Sequence, residues 1–314
     1  MILYSKHEKA VLLFHRILPL RDPLWDPIDP ALFAQTLNFV QKKFHVVALD
    51  ELLFNPEIRS TKPLAAITFD DGYRDFIDYA IPVLDKERCK ATMFVVTDCI
   101  DSGMPTWTYM VDHLFINSKK LEWKNVDVDE FPDEYKKVKW DSREEKILYC
   151  KGFKQWLKWI PSVKRDSLVK SLLKNFDDIE DPGNLMMSWA EVRQVYDAGF
   201  GIGSHSVSHP TLATIADDGI VDFELNYSAR RIKEKSGINA EIFSYPVGNY
   251  DQRIKKLTRS AGYSAALAVN KTMYDPDKHD LFEVPRIELY NESWLKTRMR
   301  INGSVSYVKR VLGK

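Results

Sequence analysis

Short apolar segments alternate along the chain with longer segments whose apolar residues recur at helical spacing. The short segments predict strands, which we place at Val11–His15, Leu64–Asp70, Ala91–Val96, Gly201–His205, Glu241–Tyr245, Ser264–Val269 and Phe282–Leu289. The longer segments predict helices at Pro30–Phe44, Tyr73–Arg88, Ser188–Ala198, Asp217–Ser236 and Asp251–Ala261. This order of strands and helices is typical of an α/β fold, in which helices cover a parallel sheet that closes into a barrel.

One long segment, residues 102–187, interrupts this alternation, and we call it the insertion. It is rich in tryptophan, and between residues 136 and 174 it has twelve Lys or Arg against four Asp or Glu. Tyr149, Phe153, Trp156 and Ile160 form one apolar stripe on a basic helix. We predict a single domain over residues 1–314 with a mostly helical insertion, whose stripe packs onto the barrel. The alternative is a lid that touches an anionic carrier or a membrane surface.

Charge and cysteine content narrow the functional classes. The 45 Lys and Arg of this 314-residue chain balance its 45 Asp and Glu, which gives no reason to expect a nucleic-acid partner. Cys89, Cys99 and Cys150 lack the CxxC spacing and cannot all pair, so we expect reduced thiols. No signal-peptide pattern or spanning stretch is apparent. We expect a cytoplasmic protein, with peripheral contact at the inner face of the membrane as an option; the oligomeric state stays open.

The candidate chemistry lies in three separated motifs, each at the end of a predicted strand. They are TFDDG at Thr68–Gly72, HSVSHP at His205–Pro210 and FSYPVG at Phe243–Gly248. In barrels built of β/α units, catalytic residues come from the carboxyl ends of the strands. We therefore expect the three motifs to meet at one rim of the barrel.

Two histidines and two adjacent carboxylates dominate these motifs. His205 and His209 with one carboxylate make the open three-ligand set of a catalytic zinc site, and a second carboxylate beside it supplies a general base. Each part alone has an ordinary explanation, since HxxxH also occurs in surface loops and Asp-Asp-Gly favours turns. Spacing does not decide which of Asp70 and Asp71 takes which role.

Together the motifs resemble those of the polysaccharide deacetylases, the carbohydrate esterases with the NodB homology domain. The resemblance extends from about Val11 to about Leu289 without the insertion. It implies a distorted (β/α) barrel, usually of seven strands, and an N-acetylated sugar as substrate. It also implies that Asp70 is the catalytic base and that Asp71, His205 and His209 bind a divalent metal. Zn²⁺ is our first choice, and the donor set also admits Co²⁺, Ni²⁺, Mn²⁺ or Fe²⁺.

Three positions depart from the usual family pattern. Val247 replaces the tyrosine whose backbone N–H faces the oxyanion, but a backbone donor does not depend on its side chain. The arginine of the third motif is missing; Arg286 could supply its charge near Asp70, or form an ordinary ion pair. The late histidine motif is also absent, and His15 matches a branch of the family that has the catalytic acid near its N-terminus.

The predicted activity is metal-dependent removal of N-acetyl groups from a glycan or from a lipid- or nucleotide-linked sugar precursor. In this interpretation Asp70 acts as the base and His15 protonates the leaving amine. One alternative is a metal-dependent amidase that acts on a non-sugar acyl amide. The other is a non-catalytic glycan-binding relative, which we would expect to have lost Asp70 or a metal ligand.

Overall fold

The computed structural model describes residues 7–303, so both ends of the predicted domain 1–314 lie outside the described residues. Its strands are β1 Ala10–Phe14, β2 His45–Val46, β3 Leu64–Phe69, β4 Thr92–Val95, β5 Gly201–Ser204, β6 Ile242–Ser244, β7 Ala265–Ala268, β8 Val284–Pro285 and β9 Ile287–Glu288. Its helices are α1 Pro30–Lys43, α2 Leu49–Phe54, α3 Ile81–Lys86, α4 Thr97–Ser102, α5 Trp107–Asn117, α6 Arg143–Leu157, α7 Ser162–Asn175, α8 Trp189–Asp197, α9 Asp218–Ser236, α10 Gln252–Ser260 and α11 Trp294–Ile301. A π-helical turn, Phe76–Ala80, leads into α3.

The strands form one sheet in the order β8-β7-β6-β5-β4-β3-β1-β9, and every pair in it is parallel. The short β2 pairs with the start of β3. Since β8 and β9 are separated only by Arg286, the two edges of the sheet are successive in the chain and the sheet nearly closes. The predicted α/β barrel is confirmed.

The predicted continuous strand Phe282–Leu289 is wrong. A 3₁₀ turn covers Leu281–Glu283, and the extended part is broken at Arg286. The break has a topological reason: β8 pairs with β7, whereas β9 pairs with β1 on the other side of the closure. The chain therefore changes partners at Arg286.

Local sequence signals account for the helix starts. Asp29 accepts a hydrogen bond from the Ala31 N–H, and Pro30 takes the first position of α1, where its missing N–H costs no hydrogen bond. Ser188 and Glu191 form a reciprocal capping box that opens α8, as the SWAE sequence predicts. These caps fix where the helices leave the sheet.

The insertion has a hydrophobic core of its own. Fourteen buried residues from α5, α6, α7 and the intervening loops form this cluster, including Trp123, Phe153 and Leu172. The expectation that the Tyr149–Ile160 stripe packs onto the barrel is therefore wrong. Its residues pack against α5 and α7 instead, because three helices and several loop aromatics together enclose enough apolar surface to cover it.

All three cysteines are buried and free, as their spacing predicts. Within residues 7–303, no helix combines the length and the apolar character that crossing a membrane requires.

Candidate metal centre and catalytic site

Four strands deliver the candidate residues to one rim of the barrel. His15 follows β1, Asp70 and Asp71 follow β3, His205 follows β5, and Val247 lies three residues after β6. Because all these strands are parallel, their carboxyl ends point to the same side. Motifs that are far apart in the sequence are thus close together in the folded chain.

Asp71, His205 and His209 lie close enough to share one ion. The Asp71 Oδ1 atom lies 3.5 Å from the Nε2 atom of His205 and 3.5 Å from that of His209. One ligand atom from each residue falls within 4.8 Å of the other two. Asp71 Oδ1 is buried and accepts no hydrogen bond from a described residue. A buried oxygen without a donor, facing two imidazoles, fits a bound cation.

The imidazole of His205 is oriented by a backbone carbonyl. Its Nδ1 lies 2.7 Å from the Ser244 oxygen, so Nδ1–H donates and Nε2 keeps its lone pair on the side of Asp71. His209 is almost fully buried, and burial, followed by the nearby His205, holds its pKa well below the ordinary range. The His209 ring is therefore available as a neutral ligand.

The rim holds a concentration of unusual backbone conformations. Four non-glycine residues of the three motifs have positive φ, namely Asp71 (79°), Ser206 (70°), His209 (59°) and Val247 (61°). Gly72 continues the first turn at φ 90°, and a Cβ there would come within 2.9 Å of the Ile100 side chain. Positive φ in residues other than glycine costs free energy and is typical of functional sites.

A buried carboxylate holds the histidine loop in this conformation. Glu224, on α9, accepts hydrogen bonds from the backbone N–H groups of Val207 and Ser208, at 2.8 and 3.0 Å. It also accepts from the Ser208 hydroxyl at 2.5 Å. The sequence analysis missed Glu224, because a single acid on a helix carries no signal of what its side chain reaches.

Asp70 and Arg286 form a buried, bidentate ion pair. The Arg286 Nη1 atom lies 2.8 Å from Asp70 Oδ1, and Nη2 lies 2.7 Å from Oδ2. The Ser244 hydroxyl donates to the same Oδ2 at 3.1 Å. Burial acts to raise the pKa of Asp70, but the charges of Arg286 and His205 outweigh it and hold the pKa far below its ordinary range. Arg286 thus supplies the positive charge beside Asp70 that the missing arginine of the third motif provides in the usual family pattern.

His15 lies at the same rim, partly buried. Its ring contacts that of Trp25 edge-on, with centroids 5.1 Å apart, and it lines a small cavity with Trp25 and Glu288. Burial raises the pKa of Asp71, and the coulombic effect of His15 opposes this rise, as it opposes the effect of burial on Asp70. His15 is therefore near the two acids.

The residue after His15 belongs to a second buried ion pair, which the sequence analysis also missed. Arg16 Nε donates to Asp75 Oδ2 at 2.7 Å, and the Ile17 N–H donates to Oδ1 at 3.2 Å. The Arg16 guanidinium lies over the rings of Tyr73 and Tyr109, 4.6 and 5.3 Å from their centroids. Burial raises the pKa of Asp75 to about 6, against the opposing charge of Arg16. This pair fixes the chain just beyond His15.

Val247 occupies a 3₁₀ turn, Pro246–Gly248, directly beyond β6. Val247 and the next residue, Gly248, both have positive φ, so the backbone of this turn departs from the course of the strand. The structure places this turn beside Ser244, whose oxygen and hydroxyl contact His205 and Asp70. The role of the Val247 N–H stays a prediction.

One indole of the insertion contacts the backbone of a candidate metal ligand. Trp107 Nε1, at the start of α5, donates to the backbone oxygen of His209 at 2.9 Å. The guanidinium of Arg165, from α7, lies over the same indole at 4.8 Å. Arg165 and Lys158 both lower the pKa of His209 through their charge. The excess of basic residues in the sequence indicated such a contact only in general terms.

A family model described as "Polysaccharide deacetylase" matches residues 57–143 and 167–266, which is well over half of the chain. The matched ranges contain Asp70, Asp71, His205, His209 and Val247. They leave out most of α6, which is part of the insertion, and His15 and Arg286 also lie outside them.

Individual relatives agree with this match. Over 91 residues, 29% of this chain, the sequence is 30% identical to chitin deacetylase 1 of Cryptococcus neoformans; the match spans 19% of that protein's length. Among solved structures, deacetylase PplD of Streptococcus pyogenes in complex with acetate has a TM-score of 0.61 at 16% identity, over 93% of this chain and 97% of that chain. IcaB from Ammonifex degensii has a TM-score of 0.59 at 17% identity, over 93% and 97%. At such identities the structural likeness shows a shared fold.

Proposed function

Because this chain belongs to the polysaccharide deacetylase family, we propose that it is a metal-dependent hydrolase that removes N-acetyl groups from an N-acetylated sugar. One observation carries the proposal. The Asp71 Oδ1 atom, which has no hydrogen-bond partner among the described residues, faces the Nε2 atoms of His205 and His209. The ionised Asp70 lies beside them and forms an ion pair with Arg286.

Asp71, His205 and His209 would hold the cation, with Zn²⁺ as the first choice and Co²⁺, Ni²⁺, Mn²⁺ or Fe²⁺ as the other options. When bound, it would lower the pKa of water toward about 7 and polarise the acetyl carbonyl. The hydrogen bond from His205 to Ser244 would keep its ring in the ligating orientation.

The other rim residues would move protons and stabilise charge. Asp70 accepts the proton of the attacking water, whose oxygen adds to the acetyl carbon. The Val247 N–H donates a hydrogen bond to the developing oxyanion, an interaction worth about 2.7–4 kcal/mol of the barrier. His15 then gives a proton to the sugar nitrogen as the C–N bond breaks. The products are acetate and a free amino sugar.

Arg286 is a positioning residue in this proposal. By binding both oxygens of Asp70 it keeps the carboxylate ionised and fixes its plane. The Ser244 hydroxyl donates to Asp70 and its carbonyl accepts from His205, so one residue aligns the base with a ligand.

The sugar is an N-acetylhexosamine in a glycan or in a lipid- or nucleotide-linked precursor. A chitin deacetylase among the sequence relatives supports a sugar substrate. The exposed Trp159 and Val163 of the insertion support contact with a lipid carrier or a membrane surface. A cytoplasmic location stays a prediction, which cell fractionation would test.

Metal content and acetate release together test this function. We expect the purified chain to bind about one divalent ion and to release acetate from N-acetylglucosamine oligomers or linked precursors. Asp70→Asn should retain the metal and lose about 10²–10⁴-fold in kcat. Metal binding without acetate release from any sugar would indicate a glycan-binding protein. Release only from non-sugar acyl amides would indicate an amidase.

A further inference from the structure

The loop 205–210 carries two of the three candidate metal ligands, and its backbone holds an unfavourable conformation. Ser206 and His209 both have positive φ, at 70° and 59°, which is sterically costly for residues other than glycine. No glycine lies between His205 and Pro210 to provide this freedom. Contacts with the rest of the fold therefore hold the loop in its shape.

Part of the loop is fixed by one of its own hydroxyl groups and by α4. The Ser206 hydroxyl accepts a hydrogen bond from the His209 N–H at 3.0 Å. From α4, the Thr97 N–H donates to the Ser206 backbone oxygen at 3.2 Å. The Asp98 N–H donates to the Val207 backbone oxygen at 3.0 Å. The bonds from α4 hold carbonyl groups only, so the N–H groups in the middle of the loop need another partner.

The carboxylate of Glu224, on α9, is that partner. One of its oxygens accepts from the N–H groups of both Val207 and Ser208, and the other accepts from the Ser208 hydroxyl. Three donors around a side chain that donates nothing are the pattern of an ionised carboxylate. Glu224 is only 6% exposed, and a buried carboxylate needs hydrogen bonds to stabilise its charge. All three that it makes within residues 7–303 go to this loop.

We propose that Glu224 is a positioning residue for the candidate metal centre, which holds the loop in its ligating conformation before a cation binds. The role rests on the proposed function for the presence of the metal. Because Val207 and Ser208 lie between the two histidines, their bonds to Glu224 restrain how far apart the two imidazoles can lie. A loop that is already ordered loses less conformational entropy when the ion binds, so its affinity for the ion is higher.

Two conservative substitutions separate the reach of Glu224 from its charge. Glu224→Asp keeps the charge on a side chain that is one methylene shorter. Glu224→Gln loses the charge but keeps the length and one acceptor oxygen, which can take the place of the oxygen that accepts both N–H groups. Competition with a chromophoric chelator measures the affinity for Zn²⁺. We expect Glu224→Asp to bind Zn²⁺ about 10–100-fold more weakly than the wild type and Glu224→Gln to stay within about threefold of it.

A glutamate on the outer side of the same helix provides the matched control. Glu234 is 53% exposed and pairs with Arg230, so Glu234→Gln should bind Zn²⁺ as the wild type does. Wild-type affinity in Glu224→Asp would overturn the proposal. A loss in Glu224→Gln as large as that in Glu224→Asp would also overturn it, because the charge and not the reach of the side chain would then act on the metal.

Hydrogen exchange on the metal-free enzyme tests whether the loop is ordered before the ion binds. The amides of Val207 and Ser208 should exchange about 10-fold more slowly in the wild type than in Glu224→Asp, because each opening of the loop breaks their bonds to the carboxylate. Glu224→Gln should resemble the wild type. Equal exchange of these two amides in the wild type and Glu224→Asp would contradict the proposed positioning.

The role of Glu224 and the deacetylase function can fail separately. If Zn²⁺ affinity depends on Glu224 as expected but no sugar releases acetate, the proposed function alone is wrong. If a sugar releases acetate while the wild type and Glu224→Asp bind Zn²⁺ equally, the role of Glu224 alone is wrong. A wild type that binds no divalent ion would contradict both.

Discussion

At the rim of the barrel, Asp70 and Arg286 are almost fully buried and neutralise each other through two hydrogen bonds. In the insertion, Trp159 and Val163 are 56% and 75% exposed. The two regions also have separate hydrophobic cores. A hydrogen bond from Trp107 to the His209 oxygen joins the insertion to the loop His205–Pro210, which we call the metal loop.

The difference in burial and pairing between the rim and the insertion indicates that the two regions have different roles. Groups that must hold a fixed geometry during a reaction are buried, paired and oriented by neighbours, as the rim residues are. The insertion differs, because it keeps large apolar side chains such as Trp159 and Val163 exposed. We therefore assign the proposed chemistry to the rim of the barrel.

We expect the largest effect on stability and activity when the ion pair between Asp70 and Arg286 at the rim is removed. Arg286→Met leaves Asp70 as a buried charge without its partner, so we expect a loss of about 3–5 kcal/mol in the free energy of unfolding. We also expect kcat to fall by about 10²-fold or more, because the base loses its orientation. Urea denaturation and acetate release measure both effects. Arg286→Lys should recover part of the stability and little of kcat, since an ammonium cannot bind both oxygens in one plane.

The independence of the insertion core is tested next. Phe153→Ala removes a fully buried ring from α6 and should cost about 3–5 kcal/mol of local stability. Because the barrel has its own core, hydrogen exchange should rise in α5, α6 and α7 and stay unchanged in β3 and β5. Leu148→Ala, on the exposed side of α6 at 71% exposure, is the control and should change stability by less than about 0.5 kcal/mol. Uniform loss of protection would show that the two cores unfold together.

A pH series tests the second ion pair near the rim. The folded chain binds the Asp75 proton more tightly than the unfolded chain, because burial raises the pKa of Asp75 from its ordinary 3.8 to about 6. Its contribution to stability is therefore present below about pH 4 and is lost as the pH rises through about 6. Relative to Asp75→Asn, the free energy of unfolding of the wild type should fall by up to about 3 kcal/mol across this window.

Urea denaturation at a series of pH values measures the difference in the free energy of unfolding between the wild type and Asp75→Asn. Groups that titrate equally in both proteins do not contribute to this difference. Asp78→Asn, a half-exposed carboxylate nearby, controls for the change from acid to amide. A wild-type curve parallel to that of Asp75→Asn would contradict the prediction.

The smallest effect concerns the bridge between the regions. Trp107→Phe keeps the aromatic stack with Arg165 and removes the hydrogen bond to the His209 oxygen, a loss of about 1 kcal/mol. We expect the affinity for Zn²⁺ to fall by about fivefold, measured by competition with a chelator. Trp189→Phe removes a comparable indole hydrogen bond, to Asp101, and should leave metal affinity unchanged. Equal affinities for all three proteins would mean that the insertion does not act on the metal loop.

Part of the site was predictable because strand-end motifs carry their own signal. TFDDG and HSVSHP lie at the ends of apolar strands, and parallel strands bring their ends together, so the pattern predicts that the Asp70–Asp71 pair meets His205 and His209. The choice of Asp71 as the ligand came from the family resemblance. Arg286 was predicted as an option from its strand, although the break of that strand was not. Glu224, Asp75 and Trp107 gave no signal, since each contributes one side chain from an element whose neighbours in space are unknown from the sequence.

The sequence by itself determined the alternation of strands and helices, the interruption by a basic and aromatic insertion, and the residue types of the candidate metal site. These properties are local, because periodicity, caps and motif spacing act over a few residues. Only the tertiary structure decided that Arg286 binds Asp70 across 216 positions of the chain, that the insertion encloses its own core, and that Trp107 joins it to the metal loop. Such contacts depend on which surfaces meet when the sheet closes, and that is a property of the whole chain.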